Sequence, residues 1–133
     1  MPKGRVQFEI GIQSTNLKTL GQISRANPWE EMTNNIKSIM AYGNIHLHVD
    51  LIMSSMKILF FAKSFNDVYL LQADMLQVGF LKLLKGAAMN DLIQEHDYVY
   101  MPQAPYQVIS NKIYGLCYYA KITDFCRCIG IIL

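Results

Sequence analysis

Two stretches of the sequence alternate between apolar and polar residues: VQFEIGIQ at positions 6–13 and NIHLHVDLI at positions 44–52. Because successive side chains of a β-strand point to opposite faces, each stretch predicts a strand with one apolar and one polar face. A third stretch, MLQVGFLKLL at positions 75–84, follows the same pattern. The sequence therefore predicts three strands, near residues 6–13, 45–52 and 76–83.

The segments between these strands have helical patterns. In residues 29–42 the apolar side chains recur at helical spacing, with Pro28 before the first turn and Gly43 after the last. Further helices are predicted over residues 15–24, 54–71, 86–96 and 106–113. Strands joined by connections of this length need crossovers, so we expect parallel strands in right-handed units.

The polar strand faces are unusual for a parallel sheet, because parallel strands are normally covered on both faces. A barrel accounts for them, since its strands turn their apolar faces outward to the helices and their polar faces into a lumen. We therefore predict an α/β fold, a partial and incomplete (β/α) TIM-like barrel of about three parallel strand–helix units. The lumen residues would be Gln7, Glu9, Gly11, Gln13, His46, His48, Asp50, Gln77 and Gly79.

Composition excludes several classes of protein. The 133 residues are 52% hydrophobic and 17% charged, which argues against a disordered chain. The net charge of +2 comes from 12 basic and 10 acidic residues without a run of like charges, so no nucleic-acid partner is predicted. No apolar stretch reaches the roughly 18 to 20 residues that span a bilayer, and residues 1–5 do not begin a signal peptide. We expect no membrane partner and a cytoplasmic location.

The three cysteines, Cys117, Cys126 and Cys128, are odd in number and favour free thiols over a disulfide framework. Cys126 and Cys128 offer two ligands, whereas a structural zinc or an iron–sulfur cluster takes four protein ligands or a three-cysteine run. These cysteines therefore predict no metal site.

His46 and His48 lie two residues apart on one strand face, and Asp50 extends the series to a third candidate metal ligand. Lumen histidines that are satisfied by hydrogen bonds are the commoner case. We predict no metal here either.

Several of these stretches are similar to one enzyme family. The sequence FEIGIQSTN at 8–16, with Ile23-Ser24-Arg25, resembles the fourth-strand motif of radical S-adenosylmethionine (SAM) barrels. HLHVDLI at 46–52 resembles the fifth strand, and SFNDVY at 64–69 with LQVGFLKLLKG at 76–86 resembles the next helix and the sixth strand. PYQVI at 105–109 resembles the start of a C-terminal domain of uncharacterised function, found in a subgroup that also carries an N-terminal cobalamin-binding domain.

The resemblance covers about residues 5–113 and implies a division of the chain. Residues 1–100 would be the C-terminal half of the barrel, and residues 101–133 would begin the C-terminal domain, with a divergent tail. The family's cofactors are SAM, a four-iron four-sulfur cluster held by a three-cysteine loop, and, in the subgroup, cobalamin. No segment of the chain matches the cysteine loop, so we expect this chain alone to hold none of them.

The resemblance also implies which residues would contact SAM. They are Glu9, Gln13, Ser14, Arg25 and Asp50. Carboxylate and amide groups suit this role, because the ammonium and ribose hydroxyl groups of SAM offer hydrogen-bond donors. The resemblance assigns no catalytic residue within this chain.

Two functional hypotheses remain open. In the first, the chain is a fragment of a radical SAM enzyme that contributes the cavity for SAM and a small-molecule substrate, and its partner is the missing N-terminal half of the barrel or a second copy. In the second, it is a non-catalytic remnant or a small α/β binding module. In both, the chain alone is expected to be inactive in radical chemistry.

Overall fold

The computed structural model describes residues 2, 4–23, 25, 28–53 and 58–128. It is an α/β fold with a three-stranded parallel sheet in the order β1-β2-β3 and a separate antiparallel pair, β4-β5. The elements are β1 Val6–Gln13, α1 Leu17–Gln22, α2 Trp29–Ala41, β2 Ile45–Met53, α3 Ile58–Tyr69, β3 Met75–Phe80, a 3₁₀ helix Ala88–Leu92, α4 Ile93–His96, β4 Val99–Tyr100, β5 Val108–Ser110 and α5 Leu116–Cys128. The prediction of three parallel strands is confirmed.

The apolar face of the sheet forms the main core. In the central strand β2, every second side chain from Leu47 to Met53 is at most 2% exposed. Against this face pack α2 with Ile36, α3 with Val68 and α5 with Ile122. Each such buried aliphatic side chain contributes roughly 1.5–3 kcal/mol of transfer free energy. The sheet is therefore covered by three helices on its apolar side.

Local capping determines where the first helices begin and end. The Asn16 side-chain oxygen accepts hydrogen bonds of 3.0 Å and 3.2 Å from the N–H groups of Lys18 and Thr19, which caps α1. Helix α2 begins directly after Pro28 and has two acidic residues in its first turn, which interact favourably with the helix dipole. Gly43 follows it with φ 64°, a conformation that glycine adopts without strain.

The third strand is shorter than the sequence predicts, because the chain changes partners after Phe80. Leu81 still donates its N–H to Met53 of β2, at 3.2 Å, but its carbonyl oxygen accepts from Val108 N, at 2.8 Å. Lys82 then forms an antiparallel bridge with Gln107. The strand predicted over residues 76–83 therefore ends at Phe80.

The helix predicted over residues 106–113 is wrong. Residues Val108–Ser110 form β5, antiparallel to Val99–Tyr100. The reason is that these residues pair with the segment after β3. Val108 N donates to the carbonyl oxygen of Leu81, and Gln107 bridges Lys82.

Helix α5, for which the sequence pattern makes no prediction, packs into the main core with Ile122 and Cys126. The turn before it is held by the Asn111 side-chain oxygen, which accepts from the N–H groups of Ile113, at 2.7 Å, and Tyr114, at 3.0 Å. Parts of the helices predicted over 15–24 and 54–71, namely residues 24 and 54–57, and the tail 129–133 lie outside the described residues. No helix in the described ranges is both long and apolar enough to cross a membrane.

Candidate functional site

The polar side chains of the three strands lie side by side on the face opposite to the covering helices. In the parallel register Glu9 is paired with His48, and Asp50 lies between Gly11 and Gln77. Residues paired across neighbouring strands point to the same side of a sheet. The sheet therefore brings Glu9 and Asp50, two of the residues that the resemblance implies for SAM binding, onto one polar face.

Hydrogen bonds and a long ion-pair contact connect the polar groups at the amino end of this face. Gln7 Nε2 donates to Glu9 Oε1 at 3.2 Å and lies 3.5 Å from His48 Nδ1. His46 Nδ1 is 3.9 Å from Asp74 Oδ2, and the Asp74 carboxylate also accepts from a backbone N–H of β2 at 2.7 Å. The amino end of the face is thus occupied mainly by contacts within the chain.

Asp50 is the most electrostatically perturbed group on the face. Partial burial raises the pKa of its carboxyl group above the usual value of 3.8. The nearby His48 opposes this rise in pKa and the Glu9 carboxylate adds to it. Asp50 therefore holds its proton to higher pH than an exposed aspartate does.

An open cleft of about 360 Å³ lies at the carboxyl ends of the three strands. It is lined by Gln13, Asp50, Leu51, Ile52, Gln77, Gly79, Phe80, Leu81, Lys82 and Leu84. A volume of a few hundred cubic ångströms, apolar walls and a few convergent polar groups are typical of small-molecule sites. The two amides, the carboxylate and the ammonium group make this cleft suitable for a small polar ligand.

Gln13 reaches the cleft through an irregularity in β1. Its φ of 66° lies in the left-handed region, and the register with β2 shifts between Gly11 and Gln13. The Gln13 side-chain amide occupies the space that a β-carbon on Gly11 would need. This bulge keeps Ile12 in the core at 0% exposure while it directs Gln13 into the cleft.

Arg25 lies next to the same end of β1. Its Nη1 donates a hydrogen bond of 3.1 Å to the carbonyl oxygen of Gly11, and the residue is exposed. The guanidinium group is therefore close to the Gln13 amide, although Arg25 is not among the residues that line the cleft.

Ser14 has a different environment from the other residues that the resemblance implies for SAM binding. It is 7% exposed, its hydroxyl lies 3.2 Å from the Ser64 hydroxyl, and it accepts from Asn16 N at 3.1 Å. Thr15 extends this network, because its hydroxyl donates to Asp67 of α3 at 2.8 Å. Ser14 therefore helps to hold β1 against α3. It lines a small cavity beside that helix, which shares Gln13 and Ile52 with the lining of the cleft.

Potential metal ligands are not grouped in the described part of the chain. No three histidine, cysteine, aspartate or glutamate side chains among these residues are arranged to hold an ion. Cys117 is exposed, whereas Cys126 is buried in the core and its thiol pKa is raised by burial. The described cysteines thus do not form the ligand set of an iron–sulfur cluster.

Sequence reasoning missed Lys82 as a cleft residue. Strict alternation along β3 would place it on the apolar face with Val78 and Phe80. The strand ends at Phe80, and the change of partners turns Lys82 into the cleft instead. No signal in the residues 81–84 themselves indicates this turn, because it depends on pairing with residues 106–108.

The comparisons with known proteins add no relatives to this description. The chain matches no protein-family model and no curated protein.

Proposed function

We propose that the chain is the C-terminal half of a radical SAM-type barrel, in the cytoplasm, and that its polar sheet face binds SAM and a small-molecule substrate. The observation that carries the proposal is the parallel three-stranded sheet with one polar face and with its helices on the other. Continuing such a sheet with further strand–helix units would enclose the polar face as a lumen. The motif resemblance of residues 5–113 points to the same arrangement.

The residues at the carboxyl edge of the sheet fit SAM. The Gln13 amide and the Asp50 carboxylate both line the cleft and supply acceptors for ammonium and hydroxyl groups. Phe80 and Ile52 give the cleft apolar walls that suit the adenine ring. The sequence predicts that this chain alone holds no SAM, but the cleft is formed within this chain, so we propose that the chain binds SAM weakly.

The described cysteines are not placed where they could hold the iron–sulfur cluster of this enzyme family. Cys126 is 1% exposed in the apolar core, on the side of the sheet away from the polar face, and Cys117 is exposed on the same helix. A cluster that reacts with SAM must stand beside the SAM site. We therefore assign the cluster, and any cobalamin-binding domain, to the partner polypeptide.

The partner would pair with the edge of the sheet that β1 forms. Within the described residues, β1 is hydrogen-bonded to β2 on one side and to no strand on the other. An unpaired edge strand is a template for pairing with another chain. The missing N-terminal half of the barrel would occupy this edge, and without it we expect a second copy to do so.

One observation favours the alternative of a small α/β binding module. Helix α5 of the same chain packs Ile122 and Cys126 against the apolar face of the sheet. In that case the cleft would bind its ligand without any radical chemistry. The two proposals share the cleft and differ in whether SAM is the ligand.

The test is a calorimetric titration of the chain with SAM, comparing Gln13→Leu with Gln94→Leu. Gln13 lines the cleft, whereas Gln94 is exposed on α4 and lies outside it. We expect Gln13→Leu to weaken SAM binding roughly tenfold, as loss of a hydrogen bond in a partly buried site does, and Gln94→Leu to leave the affinity unchanged. Equal affinities of the two variants, or no SAM binding by the unaltered chain at millimolar concentration, would reject the SAM assignment.

A further inference from the structure

A second cleft lies across the segment 81–85 from the first. Its volume is about 310 Å³. It is lined by Leu83, Lys85, Asn90, Ile93, Tyr100, Pro102 and Tyr106. None of these residues takes part in the site described above, so the second cleft is independent of the proposed function.

Residues 82–85 contribute alternately to the two clefts. Lys82 and Leu84 line the first cleft, whereas Leu83 and Lys85 line the second. The backbone is held in this extended conformation by the hydrogen bond of 2.9 Å from Leu83 N to the carbonyl oxygen of Tyr106. Lys85 follows in a turn, which the hydrogen bond of 3.1 Å from Ala87 N to the carbonyl oxygen of Leu84 closes.

Tyr106 has an unfavourable backbone conformation at the wall of this cleft. Its φ is 57°, in the left-handed region that bulky side chains rarely adopt. The peptide is held on both sides, because Tyr106 N donates to Gln103 O at 2.8 Å and Tyr106 O accepts from Leu83 N. Residues in such conformations cluster at ligand sites, and Tyr106 lines this cleft.

The charges and shapes of the lining indicate the class of ligand. Among the described residues that line the cleft, Lys85 is the one charged residue, and its ammonium group favours an anion. Tyr100 and Tyr106 provide two aromatic rings, and Leu83 and Ile93 provide apolar contacts. Asn90 is fixed by its donation to Leu84 O at 2.8 Å, so its amide is a preformed polar group.

We propose that this second cleft binds a small aromatic carboxylate, with the carboxylate at Lys85 and the ring between Tyr100 and Tyr106. A planar ring matches the two aromatic walls, and one negative charge matches the one positive charge of the lining. A ligand of this kind would bind whether or not SAM occupies the first cleft.

The proposal is tested by equilibrium dialysis of the full chain against radiolabelled benzoate, with benzamide and benzylamine as neutral and cationic probes of similar size. Dialysis measures binding even if the chain self-associates. We expect benzoate to bind more tightly than benzamide, and benzylamine to bind most weakly.

Variants of two lysines locate the site. Lys85→Met removes the charge from the second cleft, and Lys82→Met is the matched control, because it removes the same charge three residues earlier from the first cleft. We expect Lys85→Met to weaken benzoate binding roughly five- to tenfold, Lys85→Arg to retain it and Lys82→Met to leave it unchanged. Benzylamine binding as tightly as benzoate, or equal effects of the two Met variants, overturns the proposal.

Discussion

Ser64 of α3 accepts a hydrogen bond of 3.0 Å from the backbone N–H of Thr15, at the end of β1. The Thr15 and Ser14 hydroxyl oxygens lie 3.1 Å and 3.2 Å from the same oxygen. Ser64 is 1% exposed, so water cannot replace these contacts readily. One hydroxyl group thus connects the end of the first strand, where the cleft begins, to the helix behind it.

We therefore predict that Ser64→Ala destabilises the chain by about 1–3 kcal/mol, because it leaves a buried backbone N–H and a hydroxyl without their partner. The free energy of unfolding in urea measures this effect. Ser38→Ala is the matched control, since Ser38 is exposed on α2 and donates only to Asn34 O within its own helix. The control should change the free energy of unfolding by about 0.5 kcal/mol or less, and equal effects of both variants would contradict the prediction.

A second prediction concerns the space that Gln13 shares with Gly11. A β-carbon on Gly11 would collide with the Gln13 side-chain amide, whereas one on Gly79 would meet Leu51 O at an ordinary 3.8 Å. Gly11→Ala should shift the Gln13 side-chain amide signals in an NMR spectrum and weaken SAM binding. Because the colliding group is the end of a flexible side chain, stability should change by about 1 kcal/mol or less. Gly79→Ala should leave the Gln13 signals in place, and unchanged signals in Gly11→Ala would show that the bulge does not position this amide.

The third prediction concerns pH. Burial raises the pKa of the Asp50 carboxyl group above 3.8, so the folded chain holds this proton more tightly than the unfolded chain does. The stability that this tighter protonation contributes is fully present below the pKa of Asp50 in the unfolded chain. It is lost as the pH rises through the pKa of Asp50 in the folded chain. Asp50→Asn should therefore gain stability relative to the unaltered chain as pH increases across that interval. Urea unfolding at a series of pH values measures this gain in the free energy of unfolding. The control is Gln77→Asn, which changes the same face but removes no titrating group. If the free energies of unfolding of Asp50→Asn and of the unaltered chain differ by the same amount at every pH, the raised pKa of Asp50 is contradicted.

The sequence was sufficient to predict the sheet. Local alternation specifies which side chains of β2 are buried, and Leu47 and Val49 lie in the core while His48 and Asp50 lie on the polar face. The crossover lengths specify parallel pairing. These properties follow from the alternation within each strand and from the lengths of the connections, so the sequence alone predicts them.

The C-terminal third could not be predicted in the same way, because its structure depends on distant partners. Val108 is in a strand since its N–H bonds to Leu81 O, and Lys82 faces the cleft since it bridges Gln107. The location of Ser14 against α3 depends on Ser64, fifty residues later in the chain. The alternation thus predicts the polar strand face that includes Gln13 and Asp50, which line the cleft, but it does not indicate Lys82.

The fourth prediction is that the chain alone does not perform radical chemistry. Reductive cleavage of SAM needs an iron with an open coordination site, which a set of three spaced thiolates provides. The described thiols of Cys117 and Cys126 are on α5, and Cys126 is buried in the core. After anaerobic reconstitution with iron and sulfide, we expect no stoichiometric four-iron cluster and no 5′-deoxyadenosine. A cluster with deoxyadenosine formation, both lost in Cys126→Ser, would show that the chain carries its own cluster site.

The most direct test of the account is photoaffinity labelling with 8-azido-SAM followed by mass spectrometry of tryptic peptides. The cleft lies where Gln13, Asp50 and Gly79 meet, so we predict labelling of the peptides that contain these residues, and protection by an excess of SAM. Gln13→Leu should reduce the labelling, and Gln94→Leu should not. Labelling that is confined to α5, or that excess SAM does not prevent, would contradict the claim that this polar sheet face is a SAM site.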